Sequence, residues 1–261
     1  MVMALVEKWP AGRAGVLQFN RAEKHNSLSG DLMRELMAGL DALAADGVRV
    51  IVLRAAPGAK VWSAGHDINE IPAPRRDPLG YFDALESLLR KVQDCPVPVI
   101  AMVEGSVWGG ACDLCAACDL IIAARGATFA MTPAKIGIPY NASGLVHFTN
   151  LVGVHKAKEM FFTAQPVGAD EARNNGLVNH VVDAADLESF TMKIAETIAA
   201  NAPLAVQSLK AEFRLLTRGH HIDAETAEEI QAVRRKVYDS EDYAEGIRAF
   251  KEKRPPRFQG R

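Results

Sequence analysis

An α/β fold is predicted by three observations. Strand-like and helix-like runs alternate along residues 15–124, the strands Val48–Leu53 and Val99–Val103 are apolar on successive residues as in a sheet buried on both faces, and beyond about residue 144 helices dominate. Gly15–Phe19 reads as a strand, followed by a polar, turn-rich stretch over Asn20–Ser29. Helical spacing begins near Gly30, with Leu32, Leu36, Leu40 and Leu43 on one face, and Gly47 stops it. The order then repeats: an amphipathic stretch at Tyr81–Val92, Pro96 and Pro98 as punctuation, and the strand Val99–Val103. A third cycle runs from a helix at Gly109–Ala117 to a strand at Asp119–Ala124. Downstream, helices are expected at Gly144–Leu151, His155–Thr163, Ala169–Asn175, Leu187–Asn201, Pro203–Thr217, Ala224–Tyr238 and Tyr243–Lys253, with Leu177–Val182 alone strand-like. Pro203 suits a first helical turn. An α/β core over residues 1–200 and a helical region over 201–261 are expected, with no Ser/Gly/Pro linker between them.

Composition excludes several function classes. With 261 residues, 49% of them hydrophobic, the chain can bury a sizeable core. Thirty basic residues against 32 acidic ones leave a net charge of −2, so no overall positive field attracts nucleic acid or an anionic membrane. The densest apolar runs, Val97–Val103 and Leu120–Ala124, are strand-sized, and the opening MVMALVEKWP lacks the pattern of a secretory signal. Cys112, Cys115 and Cys118 have a spacing that can hold an iron–sulfur cluster. On a helix, however, steps of three residues spread them around the axis, so they are expected to be buried core. Neither His220-His221 nor the other histidines form a metal-ligand pattern. No metal site is expected, and a reducing cytoplasm is the expected location.

Two segments depart from what core packing requires. One is Ser63-Ala64-Gly65-His66-Asp67-Ile68; the other is Glu104-Gly105-Ser106-Val107-Trp108-Gly109-Gly110-Ala111, between a buried strand and a helix. A glycine pair at the mouth of a helix lets a ligand approach the backbone and aims free first-turn N–H groups outward, which suits an anion or oxyanion. Gly65 can do the same for the N–H of His66.

Taken in order, these segments resemble the crotonase (enoyl-CoA hydratase/isomerase) superfamily. The resemblance extends over Asn26-Ser27-Leu28-Ser29, Trp62 followed by SAGHDI, PVIAMVEGSVWGGACDL, CDLIIAA, Phe129 to Asn141, and the closing SEDYAEGIRAFKEKRPPRF. Within the superfamily the likeness is greatest to members that decarboxylate malonyl-type CoA thioesters, chiefly through AGHDI, EGSVWGGA, FAMTPAKIGIPYN and VYDSEDYAEG. The resemblance implies a ClpP/crotonase spiral of ββα units with a helical C-terminal region serving trimerisation, and a homotrimer or dimer of trimers. It also implies an acyl-CoA substrate, CoA being part of the substrate rather than a cofactor.

Residue by residue, the resemblance implies that the backbone N–H groups of His66 and Gly110 form an oxyanion hole for the thioester carbonyl. The hole serves any chemistry at the α-carbon, so the reaction depends on other residues. Hydratases of this superfamily use two glutamates to hold water. Here the first position is Asp113, shorter by one methylene, and the second falls in Met131-Thr132-Pro133-Ala134, which has no carboxylate. Decarboxylation instead needs the carboxylate held perpendicular to the thioester plane by a neutral donor. Tyr140 occupies that position in the resembled decarboxylases, with Thr132 and the His66 side chain as further contacts. Asp113 then reads as a solvated or structural carboxylate. The adenine is expected against the backbone of Ala64, Gly65, Asp67 and Ile68, and the CoA phosphates against Lys24 and Lys253, one of them from a neighbouring subunit. Two rival functions remain: an enoyl-CoA hydratase or isomerase with altered acid/base groups, and a non-catalytic acyl-CoA-binding subunit.

Overall fold

The structure is a computed structural model that describes residues 4–72, 74–217 and 224–261; His220-His221 and residues 1–3 of the opening segment lie outside the described residues. The chain begins with an antiparallel hairpin, β1 (Val6–Ala11) and β2 (Ala14–Phe19), then α1 (Gly30–Ala45). Three successive units follow, each placing one strand in a large sheet and the next in a smaller one: β3 (Val50–Arg54) and β4 (Val61–Ser63) before α2 (Ala84–Asp94), β5 (Val99–Val103) and β6 (Ser106–Trp108) before α3 (Gly110–Ala117), and β7 (Leu120–Ala124) and β8 (Thr128–Ala130) before α4 (Ala142–Thr163). The two-residue strand β9 (Val167–Gly168), α5 (Ala169–Asn174), β10 (His180–Val182), α6 (Leu187–Ala200), α7 (Pro203–Thr217), α8 (Ala224–Tyr238) and α9 (Glu241–Lys251) complete it.

The large sheet has the order β1-β2-β3-β5-β7-β10 and the smaller one β4-β6-β8-β9. Both are parallel except at β1·β2 and β8·β9. Alternation along the strands divides the interior. Ile51, Leu53, Val99, Ala101, Ile121 and Ala123 face the main core, while Val50, Val52, Ile100, Met102 and Ile122 face a second layer covered by α6. The two sheets are tied by Trp62 of β4, whose indole N–H donates to the Met102 carbonyl at 2.8 Å and whose ring meets Phe19 edge-on.

The predicted cycles are present with small shifts. The strand expected at Val48–Leu53 starts at Val50, and the helix expected from Tyr81 starts at Ala84 because the Asp83 side chain caps it, accepting from the Leu85 N–H at 2.8 Å. Gly144–Leu151 and His155–Thr163 form one element broken at Gly153, whose φ of 75° is not helical. Only His180–Val182 of the segment from Leu177 is strand. The short strands of the smaller sheet carry no alternation long enough to read from sequence.

The C-terminal helices divide in their contacts. Among the described residues, α7 buries no side chain fully; Lys210 docks it by donating to the Val92 and Val97 carbonyls and pairing with Asp119 at 2.7 Å. The α8–α9 pair packs beside the short 3-10 turn Pro133–Ile136, and Gly246 permits it, since a Cβ there would sit 2.1 Å from the Ile136 carbonyl oxygen.

Candidate active site

Strands β4 and β6 are parallel neighbours, so their C-terminal ends emerge side by side. That register brings the Gly65-His66 bend against Gly109-Gly110. A Cβ on Gly65 would lie 2.3 Å from the Trp108 carbonyl oxygen and 3.1 Å from the Gly110 nitrogen, and the residue has φ +81°, so glycine is required twice over. The loop before α1 zips onto the same bend. Leu28 N–H donates to the Gly65 carbonyl at 2.8 Å, and Asp67 N–H donates to the Leu28 carbonyl at 3.0 Å. In that parallel bridge the N–H of His66 points to the opposite side. Gly110 opens α3, where first-turn amides have no partner within the helix. Among the described residues neither amide has a main-chain acceptor outside regular elements.

A cleft of 530 Å³ opens over these amides. Leu79, Leu85, Pro78 and Ile138 make much of its wall apolar, and His66, Thr132 and Tyr140 contribute polar side chains. His66 is nearly buried, its Nδ1 without a protein partner and its Nε2 3.8 Å from Asp83. The Thr132 hydroxyl lies 3.3 Å from where a Gly109 Cβ would be, which places it beside the helix mouth. Thus the four residues assigned to chemistry from sequence, His66, Gly110, Thr132 and Tyr140, line one cavity.

Of the residues assigned to CoA, Lys24, Ala64, Asp67 and Ile68 line this cleft. The N–H groups of Ala64 and Asp67 are given to the His25 and Leu28 carbonyls, and the Gly65 and Asp67 carbonyls accept from the Leu28 and Glu70 N–H groups, so much of this segment's main chain is already paired. The Asp67 side chain is not free either. Burial opposes its charge, but hydrogen bonds from Asn69 and Arg21 hold its carboxyl below its usual range. Lys253 is exposed and lies outside the lining of this cleft. Lys135 and Phe250 line it and were not singled out from sequence, although Lys135 lies in the MTPAKIG segment. Phe250 shows that the C-terminal region contributes to the cleft wall as well as to the exterior.

Of the two readings of Asp113, solvated or structural, the structure excludes the solvated one: the residue is completely buried. The Tyr140 hydroxyl donates to its Oδ2 at 2.9 Å, and His147 Nδ1 lies 2.7 Å from its Oδ1. Burial and the neighbouring Asp113 push the Tyr140 phenol well above its ordinary value. Burial alone would lower the His147 imidazole, but the hydrogen bond and charge of Asp113, with Glu86, raise it. Glu86, missed from sequence, is a second buried carboxylate. It accepts from Asn141 and Ser143, yet desolvation and the charge of Asp113 keep it raised. Polar residues scattered over three separate helices carry no local pattern that would have found this group.

The cysteines behave as core. Cys112 and Cys115 are buried, the Cys112 thiol donating to the Val107 carbonyl, and burial pushes both thiols up. Among the described residues no cluster of His, Cys, Asp or Glu is arranged to hold a metal ion, and no helix is long and apolar enough to cross a membrane.

Residues 12–261 match the enoyl-CoA hydratase/isomerase family. The chain belongs to that family. Methylmalonyl-CoA decarboxylase of Escherichia coli (strain K12) is 48% identical over 248 residues, 95% of this chain and 95% of that protein. A short-chain-enoyl-CoA hydratase of Clostridium acetobutylicum is 32% identical, covering 93% of each chain. The crystal structure of methylmalonyl-CoA decarboxylase complexed with 2S-carboxypropyl-CoA superposes with a TM-score of 0.97 at 46% identity, covering 100% of each chain. The structural likeness therefore extends over the whole chain, and the sequence likeness over nearly all of it.

Proposed function

We propose that this protein decarboxylates methylmalonyl-CoA to propionyl-CoA, the thioester carbonyl serving as the electron sink so that no resident cofactor is needed. The observation that carries the reading is the character of the cleft. Two outward amides stand beside neutral polar side chains, and the single carboxylate lining the cavity among the described residues, Asp67, is already engaged by Arg21 and Asn69. Hydration needs carboxylates that face a water; Asp113 is buried behind Tyr140 with both oxygens engaged. The likeness to methylmalonyl-CoA decarboxylase over nearly the whole chain supports the same reading.

In this mechanism the thioester oxygen sits between the His66 and Gly110 amides, and the apolar wall at Leu79, Leu85 and Ile138 strips water from the carboxylate. When the C–CO₂⁻ bond stands perpendicular to the thioester plane, its electrons flow into the carbonyl as neutral CO₂ leaves. The two amides meet the growing charge on oxygen, each such donor lowering the barrier by about 2.7–4 kcal/mol. Tyr140, with Thr132 and the His66 side chain, orients the carboxylate without the strong stabilisation a Lys or Arg would give. Water supplies the proton that completes propionyl-CoA.

The wider setting follows the same reading. The adenine lies along Ala64, Gly65, Asp67 and Ile68, Lys24 meets the CoA phosphates, and Lys253 does so in a neighbouring copy. A homotrimer or dimer of trimers is supported by the apolar side chains Leu204, Phe213 and Leu216 that α7 exposes, together with Phe162 of α4. Residues 1–200 then form the catalytic core and 201–261 the assembling region. Four free thiols suit a reducing cytoplasm.

Incubation with methylmalonyl-CoA, malonyl-CoA and crotonyl-CoA, following CO₂ and enoyl absorbance, tests the proposal. CO₂ release from methylmalonyl-CoA is expected. Loss of enoyl absorbance without CO₂ would make the protein a hydratase, and neither signal would make it an acyl-CoA-binding subunit.

A further inference from the structure

A tyrosine hydroxyl has one proton, and in this structure Tyr140 directs it at Asp113, away from the cleft its ring lines. With the proton so placed, only oxygen lone pairs face a substrate carboxylate, and these repel it. Two carboxylates thus compete for one hydrogen, and the winner depends on how far the charge of Asp113 is satisfied from elsewhere. Asp113 is wholly buried, so water cannot satisfy it. Its other oxygen is met at 2.7 Å by His147 Nδ1, and the His147 Nε2 is fixed in turn at 2.8 Å from the Gln93 side-chain amide. His147 also borders a second cavity, of 720 Å³, that opens between α2, α4 and α7 on the far side of Asp113. Tyr140 in one cavity and His147 in the other are therefore joined through a single buried carboxylate.

We propose that His147 is a positioning residue: by hydrogen-bonding Asp113 from behind, it frees the Tyr140 hydroxyl to turn its proton toward the carboxylate of the bound acyl group. The inference rests on the decarboxylase reading for the identity of that group, and it assigns a role to a residue outside the cleft. The charged groups that act on the imidazole are Asp113 from α3 and Glu86 from α2, and Arg90, Asp119, Lys210 and Arg214 line the second cavity with it. Of these, Arg90 is drawn to Glu86 and the Tyr81 carbonyl, Lys210 to Asp119 and Arg214 to Asp94. Asp113 is hydrogen-bonded by Tyr140 and His147, which makes His147 its basic partner among the described residues.

The test compares two ligands that do not turn over, 2S-carboxypropyl-CoA and propionyl-CoA, by calorimetric binding to the full-length protein. His147→Leu is expected to weaken the carboxylated ligand about tenfold, the scale of one hydrogen bond to a charged group, while propionyl-CoA binding stays within about twofold. His147→Gln, which restores a donor, is expected to recover part of the loss. In a Tyr140→Phe background His147→Leu is expected to add nothing, because no hydroxyl remains to be steered. Equal weakening of both ligands, or no weakening of either, overturns the proposal. Should His147→Leu fail to fold, Gln93→Leu provides the second reading: without the amide that fixes the imidazole, affinity for the carboxylated ligand must fall while that for propionyl-CoA does not, and parallel losses overturn the assignment. Because binding is read without turnover, a protein that releases no CO₂ from methylmalonyl-CoA refutes the decarboxylase reading separately.

Discussion

The floor and the roof of the cleft are built by different means. The floor is main chain: two bends at the ends of adjacent parallel strands, with glycine where a side chain would strike a carbonyl and with fully buried apolar residues beneath. The roof is the loop over residues 74–83, with Pro72 just before it, held from the C-terminal helices by polar ties. Arg234 of α8 grips Asp77 at 2.8 and 2.5 Å and also donates to the Leu79 carbonyl, Arg75 N–H donates to the Tyr238 carbonyl, and the Tyr243 hydroxyl donates to the Pro72 carbonyl. A floor of this kind allows no adjustment without unfolding, whereas a roof of hydrogen bonds and ion pairs can be altered one contact at a time. Under the proposed mechanism, charge stabilisation belongs to the floor and substrate retention to the roof.

The sharpest way to break that division is Gly65→Ala. The added methyl meets the Trp108 carbonyl and must push the two amide-bearing bends apart, so kcat is expected to fall by about 100-fold or more, the effect of losing one oxyanion donor. Steady-state CO₂ release by protein shown to be folded by circular dichroism provides the check. A variant retaining kcat would show that the bend is not part of the charge-stabilising floor.

A smaller effect is expected at the roof. Arg234→Ala leaves Asp77 without its bidentate partner and the Leu79 carbonyl without a donor, which loosens the loop above the cleft. KM is expected to rise about fivefold, the scale of a modest ion-pair and hydrogen-bond loss, with kcat within about twofold. Should kcat fall as steeply as in Gly65→Ala, the two regions would not be separable.

The least effect concerns how the roof is anchored at low pH. Glu245 of α9 accepts from Arg254 and Arg248 and from the Arg257 N–H, and Arg254 foremost holds its carboxyl well below the usual range. A carboxylate so depressed stabilises the fold fully above its unfolded value, about pH 4.3, and that stabilisation is lost as the pH falls below it. Protection of α9 amides against hydrogen exchange, taken relative to the intrinsic rate at each pH, is expected to fall in acid while that of β3 and β5 does not. Glu245→Gln should remove much of the pH dependence from α9.

The floor was legible in the sequence and the roof mostly was not, for a physical reason. Buried parallel strands leave unbroken apolar runs, as at Val99–Val103, and the bends after them require glycine, so Gly65 and Gly109-Gly110 stand out against the core pattern. Tyr140 and Thr132 were reached only through the family resemblance, and their shared cavity depends on the fold. The Arg234–Asp77 tie joins residues 157 positions apart, and nothing local announces such a partner. The same holds for His147, a helix histidine whose meaning comes from the carboxylate it faces. Strand β1 was missed because it is a mostly exposed edge strand containing Glu7, Lys8 and Pro10, and such a strand lacks the apolar run that reveals the buried ones.

The junction of β4 with β6 has an implication for how new reactions could arise on this scaffold. Since the gap between the two N–H donors is set by the hydrogen-bonded spacing of adjacent strands, substitutions at positions 113, 132 and 140 can redirect what happens at the α-carbon while the seat for the carbonyl oxygen keeps its dimensions. Catalytic novelty can then be sampled by side-chain replacement alone, with no need to rebuild the electrophile's cradle.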